Sequence, residues 1–138
     1  MIKVVLDTNI YISGILFTGN PRIILDLAIK GRIKVCISSD IITEIKDVLS
    51  RKKFGFPTEI IETIIREIES VTTLITPSKK YKVVSRDNDD NIIIDCAAEA
   101  HVDYIITGDN DLLSLNNYNA IRIINPAEFI EMYKHSHL

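Results

Sequence analysis

The segment IKVVLDTNI, residues 2–10, decides how the fold is read. Four of its first five residues are apolar, and the run stops at Asp7, followed at once by Thr8 and Asn9. A β-branched apolar run of this length has the pattern of a strand buried on both faces of a parallel sheet. In open α/β sheets the ligand crevice lies beyond the carboxyl ends of the strands, where strand order reverses, so Asp7 is expected there. The simpler role for Asp7, Thr8 or Asn9 is to cap the helix that follows.

Working outward, residues 11–16 form a short apolar stretch broken by Gly14 and by the cluster 18–21. Asn20 and Pro21 open a helix, because a proline at the first helical position gives up no amide that the helix would use. Residues 34–37 (KVCI) predict a second strand. Ser38, Ser39 and Asp40 are candidate caps for a helix with the stripe Ile41, Ile42, Ile45, Val48 and Leu49. A basic turn at 51–57 leads to an amphipathic helix over 58–70, then to a strand over 71–75 stopped by Pro77. Residues 79–86 are irregular and basic, with a short strand at 81–84. Residues 89–91 cap a helix running to 100. A strand at 104–107, a helical turn at 111–115, a strand at 120–124 and a helix over 126–134 complete the chain. Strands alternating with helices imply a parallel sheet of four to five strands, helices on both faces and right-handed crossovers. With no repeat or linker, residues 1–138 are expected to form one domain.

At 138 residues the chain can bury a core without disulfides. Its two cysteines, Cys36 and Cys96, sit in apolar surroundings without metal-ligand spacing, which suits buried thiols in a reducing compartment. With no signal-like N-terminus and no membrane-length apolar run, the expectation is a cytoplasmic protein with no membrane association. The net charge of −3 conceals a segregation. Residues 87–111 contain eight acids and no Lys or Arg, leaving 16 basic and 11 acidic residues elsewhere. An acidic segment in a basic protein fits carboxylates that gather cations while the surroundings attract an anion.

Four acids fall at comparable places. Asp7 ends the first strand, Asp109 follows the strand at 104–107, Asp90 begins the helix leading into that strand, and Glu44 lies early in the helix after the second strand. All four belong on the carboxyl-end side of the sheet. Glu44 sits three residues after Ile41 and four before Val48, on the edge of the buried stripe. A capping-box role would need Ser or Thr at position 41, which is Ile. An inward Glu requires a compensating cation, either a salt-bridge partner or a metal. Asp89, Asp90 and Asn91 can each cap a helix, and Asp95 and Glu99 lie on one flank of it. An EF-hand loop started at Asp87 fails, since Ile92 and Ala98 would stand where Gly and Glu are required. Asp109 and Asp111 could both point into the crevice or form an Asx turn.

Hard cations such as Mg²⁺ or Mn²⁺ prefer oxygen ligands, so a few carboxylates from separate elements suffice to hold one. A metal-activated water then serves as nucleophile for phosphodiester hydrolysis. No Ser/His/Asp arrangement, phosphate loop or dinucleotide fingerprint competes with this chemistry.

The stretches VVLDTNIYISGIL, ISSDIITEIKDVLSRKKF, DNDDNIIIDCAAEAHVDYIITGDNDLL and INPAEFI together resemble the PIN-domain ribonucleases, more closely a prokaryotic toxin-like (VapC-like) branch. The resemblance covers nearly the whole chain. It implies a Rossmann-like α/β/α sandwich, metal-dependent cleavage of single-stranded RNA, Mg²⁺ or Mn²⁺ as cofactor, a homodimer and, as a toxin, an antitoxin partner. On it, the catalytic and metal-binding acids are Asp7, Glu44, Asp90 and Asp109, with Asp111 ligating through water. Asn9 supports the first acid and Thr107 supplies a hydroxyl before the fourth. Asp87, Asp89 and Asp95 are close enough in register to replace Asp90. Asn110 stands where the branch usually has a basic residue.

Arg51, Lys52, Lys53, Lys79, Lys80, Lys82 and Arg86 are candidates to track an RNA backbone, with Tyr11, Phe17 or Tyr81 stacking a base. The alternative function is a catalytically inert PIN-like module that binds RNA or protein. A receiver-like phospho-acceptor is a third reading, disfavoured because Ile124-Asn125-Pro126 lacks the lysine it needs.

Overall fold

The computed structural model describes residues 1–77 and 88–136, with Asn88 and Asp89 described in their backbone only. The basic segment with Lys79, Lys80, Tyr81, Lys82 and Arg86 lies outside these residues, as do Asp87, the side chain of Asp89 and His137.

The opening run forms β1 (Lys3–Leu6), with Val4, Val5 and Leu6 fully buried. It passes through Asp7 into α1 (Thr8–Leu16), so the apolar stretch at 11–16 is helical. Next come α2 (Asn20–Ile29), with Pro21 in its first turn, and β2 (Lys34–Ile37). Among the three candidate caps of α3 (Ser39–Leu49), Ser38 takes the role, its Oγ accepting from the Ile41 amide at 3.3 Å.

In α4 (Thr58–Val71) the helix runs further than its sequence suggests, and β3 (Thr73–Leu74) is correspondingly short. Five isoleucines along α4 present one strongly apolar face, and that periodicity carries through Val71. Helix α5 (Asn88–Ala100) starts before the expected caps, so Asp89, Asp90 and Asn91 lie inside its first turn. His101, at φ 52°, ends it: the Val102 and His101 amides donate back to the Ala97 and Ala98 carbonyls. Then follow β4 (Tyr104–Ile106), α6 (Asn110–Leu113), β5 (Asn117–Tyr118), β6 (Ile121–Ile124) and α7 (Pro126–Ser136).

The sheet order is β3-β2-β1-β4-β6-β5. Among the described residues five of the six strands run parallel, and β5 pairs antiparallel with β6. Strand β5 is an addition to the four or five expected; two polar residues, Asn117 and Tyr118, carry no apolar period that would reveal it. Right-handed crossovers place α1–α4 on one face, and α5, which packs on β1, β2 and β4, on the other. Cys36 and Cys96 are both buried in the core, as expected. Among the described residues no single helix is long and apolar enough to cross a membrane.

Candidate functional site

Strand order reverses between β1 and β4, and their register aligns Leu6 with Ile106. The next residue of each strand therefore emerges side by side at the carboxyl edge. There Thr107 Oγ1 donates to Asp7 Oδ2 at 2.7 Å and accepts from the Asp109 amide at 3.0 Å. One buried hydroxyl thus ties the ends of two neighbouring strands.

Asp7 occupies the position before α1, yet its side chain makes no capping hydrogen bond to that helix. Its one full side-chain hydrogen bond is to Thr107, while the first two amides of α1, those of Thr8 and Asn9, lie close enough to favour its charge. Burial raises its pKa above the ordinary 3.8, the Thr107 hydroxyl and the Thr8 and Asn9 amides oppose that shift, and the nearby Asp109 charge adds to it. The Thr8 Oγ1 beside it is buried without a hydrogen-bond partner.

Asp109 caps α6, its Oδ1 accepting from the Asp111 amide at 2.7 Å. This Asx turn leaves both side chains on the crevice. Asp90, 3 % exposed, arrives from the first turn of α5, where the positive end of the helix favours a carboxylate. Asp90, Asp109 and Asp111 each offer one oxygen within 4.8 Å of the others. Among the described residues of the acidic run, Asp90 belongs to this group with Asp109 and Asp111, and half-buried Asp95 does not.

Glu44 is half-buried on α3, at the edge of the stripe Ile41, Ile45 and Val48, with Oε2 withdrawn from solvent. It stands outside the tight group of three. Asn9 is exposed, and among the described residues it is the Thr107 side chain, not that of Asn9, that hydrogen-bonds the Asp7 carboxylate. Tyr11 is 1 % exposed and cannot stack on a base, since α1 turns it into the core, whereas Phe17 is 64 % exposed. Arg51, Lys52 and Lys53 are exposed in the turn after α3.

Oxygen ligands lie about 2.0–2.1 Å from Mg²⁺ and 2.3–2.6 Å from Ca²⁺, so opposed ligands of one ion are about 4–5 Å apart. The three carboxylates, at up to 4.8 Å, fit one hard cation with small side-chain adjustment. All-oxygen donors without Cys or His suit Mg²⁺ or Mn²⁺ rather than a softer metal.

An open cleft of about 460 Å³ adjoins Asp109, bordered by Asn9, Ile10, Ser13 and Pro21 on one side and Gly108 and Pro126 on the other. Sequence reading singled out neither Ser13 nor the two prolines for this place. The available signal was the spacing: Asn9 and Ser13, four apart on an apolar helix, share one face. A separate apolar cavity of about 280 Å³ between α1, α2 and α4 includes none of these acids.

The family model described as "PIN domain" matches residues 3–111. An uncharacterized protein, MJ1680 of Methanocaldococcus jannaschii, is 39 % identical over 146 aligned positions, which cover 96 % of this chain and 92 % of that protein. Among solved structures, VapBC2 from Rickettsia felis bound to a DNA fragment from its promoter is similar in fold. Its TM-score is 0.64 at 18 % identity, over 90 % of this chain and 98 % of that one. With the matching domain spanning the acidic crevice and both strands that frame it, this chain belongs to the PIN-domain family.

Proposed function

We propose that this protein is a Mg²⁺- or Mn²⁺-dependent endoribonuclease that cuts single-stranded RNA, working as the toxin of a toxin–antitoxin pair. The observation that carries the reading is the convergence of Asp90, Asp109 and Asp111 to within 4.8 Å at the sheet's reversal point. These three would hold the cation. When bound, such a cation polarises a phosphoryl oxygen and lowers the pKa of a ligated water.

The chain's own residues supply the rest. Thr107 fixes the rotamer of Asp7 and the backbone of Asp109 together, so the strand ends present their carboxylates without reorganisation. Asp7, buried against the Asp109 charge, contributes a repulsion that a cation relieves. Glu44 belongs to the proposed set through its inward place on α3. Exposed Arg51, Lys52 and Lys53 would draw in the polyanion. An antitoxin partner is proposed on the likeness to a fold whose solved example is the VapBC2 assembly.

The test is cleavage of a labelled single-stranded RNA in Mn²⁺ or Mg²⁺. Asp90→Asn and Asp109→Asn should each slow it at least about 100-fold, as removal of metal-holding groups does. A chelator should stop the parent. Equal cleavage by parent and variants, or none by the parent in any divalent metal, would sink the proposal; RNA bound but never cut would point to an inert binding module.

A further inference from the structure

The cleft beside Asp109 lies at the point where strand order reverses. Its walls come from the segments that follow β1, β4 and β6. This is where open α/β sheets take ligands, and about 460 Å³ lies within the size range of small-molecule sites.

Its lining is mixed in a specific way. Ile10, Pro21 and Pro126 offer rigid apolar surface, while Asn9 and Ser13 supply an amide and a hydroxyl. Within TNIYISGIL, Asn9 is exposed and Ser13 half-buried, whereas Thr8, Ile10, Tyr11, Ile12 and Gly14 are buried. Neither Asn9 nor Ser13 makes a side-chain hydrogen bond among the described residues, so both are available to a ligand.

Gly108 adds an independent observation. Its φ is not in the left-handed region, and a Cβ built there would meet nothing of the protein within 4 Å. The fold does not require glycine at 108. Gly108 borders the cleft, so a side chain added there would stand at its edge in open space.

We infer that this cleft is a nucleoside subsite: it takes the ribose and base next to the phosphate that is cut, with Asn9 and Ser13 as the specificity-determining residues. The inference rests on the endoribonuclease reading and adds where the neighbouring nucleotide sits. Apolar walls accept the base and ribose faces, and the two polar groups read base-edge or 2′-hydroxyl groups, the latter being what separates RNA from DNA.

The experiment compares the parent with Asn9→Ala, Ser13→Ala and Gly108→Val, each checked by thermal melting. Anisotropy of a fluorescent single-stranded RNA octamer in chelator measures binding without cleavage, and Mn²⁺-started cleavage gives KM and kcat. Loss of one hydrogen bond predicts about 3- to 10-fold weaker binding and higher KM for Asn9→Ala and Ser13→Ala, with kcat near the parent's. Gly108→Val, which adds a branched side chain at the edge of the cleft, should bind more weakly still while melting like the parent. Single 2′-deoxy substitutions along the octamer should weaken the parent at one position, and that penalty should shrink in one of the two alanine variants. Normal binding and KM in all three variants of a cleaving parent would overturn the subsite alone. A parent that binds but never cuts, with binding lost in the variants, would overturn the nuclease reading and leave the cleft standing. No binding and no cleavage by the parent would overturn both.

Discussion

Thr107 is fully buried, and its hydroxyl spends its donor on Asp7 and its acceptor on the Asp109 amide. This couples two carboxylates that repel each other, at the cost of keeping Asp7 out of water. Asp7 takes up a proton more readily in the folded chain than in the unfolded one, because burial and Asp109 both disfavour its charge. Its contribution to stability is therefore present below the unfolded carboxylate value of 3.8 and is lost as pH rises through the higher folded value. Above that folded value the ionised Asp7 opposes folding. Asp7→Asn keeps an oxygen to accept from Thr107 and removes the charge, so it should stabilise the metal-free protein by about 0.5–2 kcal/mol at pH 7. Melting curves from pH 7 downward should show that gain shrinking towards pH 3.8; a constant or absent gain would contradict the assignment. The helix-cap reading of Asp7 was natural from sequence, since N-caps depend only on neighbours in the chain. What no local pattern shows is its side-chain partner, one hundred residues away.

At the scale of elements, α1 and α2 meet at a bend of 94°, and Gly14 is where they touch. A Cβ there would lie 2.5 Å from Leu25 Cδ1 and 3.1 Å from the Pro21 carbonyl oxygen. Leu25 can swing, but the carbonyl belongs to the first turn of α2 and cannot move freely. Gly14→Ala should therefore destabilise the fold by about 1–3 kcal/mol, as overpacking does, despite the better helix propensity of alanine. A chemical-denaturation midpoint equal to or above the parent's would refute this. Gly14 looks like a helix breaker in sequence, whereas its lack of a side chain serves the packing of two helices. Locally determined features were legible: the Pro21 start, a cap for α3 among residues 38–40 and the strands at β1, β2 and β6. Exact helix boundaries were less so, as with the extension of α4 to Val71 and the position of Asp89 to Asn91 inside α5 rather than before it. The two-residue strands β3 and β5 exist because a neighbouring strand offers them an edge.

For the whole molecule, the sheet order is what assembles a site. Asp90, Asp109 and Asp111 come from two elements on either side of β4, and like charges so placed strain the metal-free fold. A divalent cation that binds the folded chain should raise Tm with concentration, by about 2.7 kcal/mol of stability at 100 times its Kd. Differential scanning calorimetry with millimolar Mn²⁺ should show the shift in the parent, with a much smaller one in Asp109→Asn; no shift in the parent would count against a metal centre. By itself the sequence determined the alternation of strands and helices, the burial of β1 and the placing of acids at strand and helix ends. Periodicity and capping are local, so they can be read from a one-dimensional chain. Tertiary structure decided which acids share one point, that the Thr107 hydroxyl reaches Asp7 from the neighbouring strand, that Tyr11 is core, and that Asn9 and Ser13 face an open cleft. Those outcomes depend on strand register and on the reversal between β1 and β4, which bring residues distant in sequence to one edge and which no local pattern encodes.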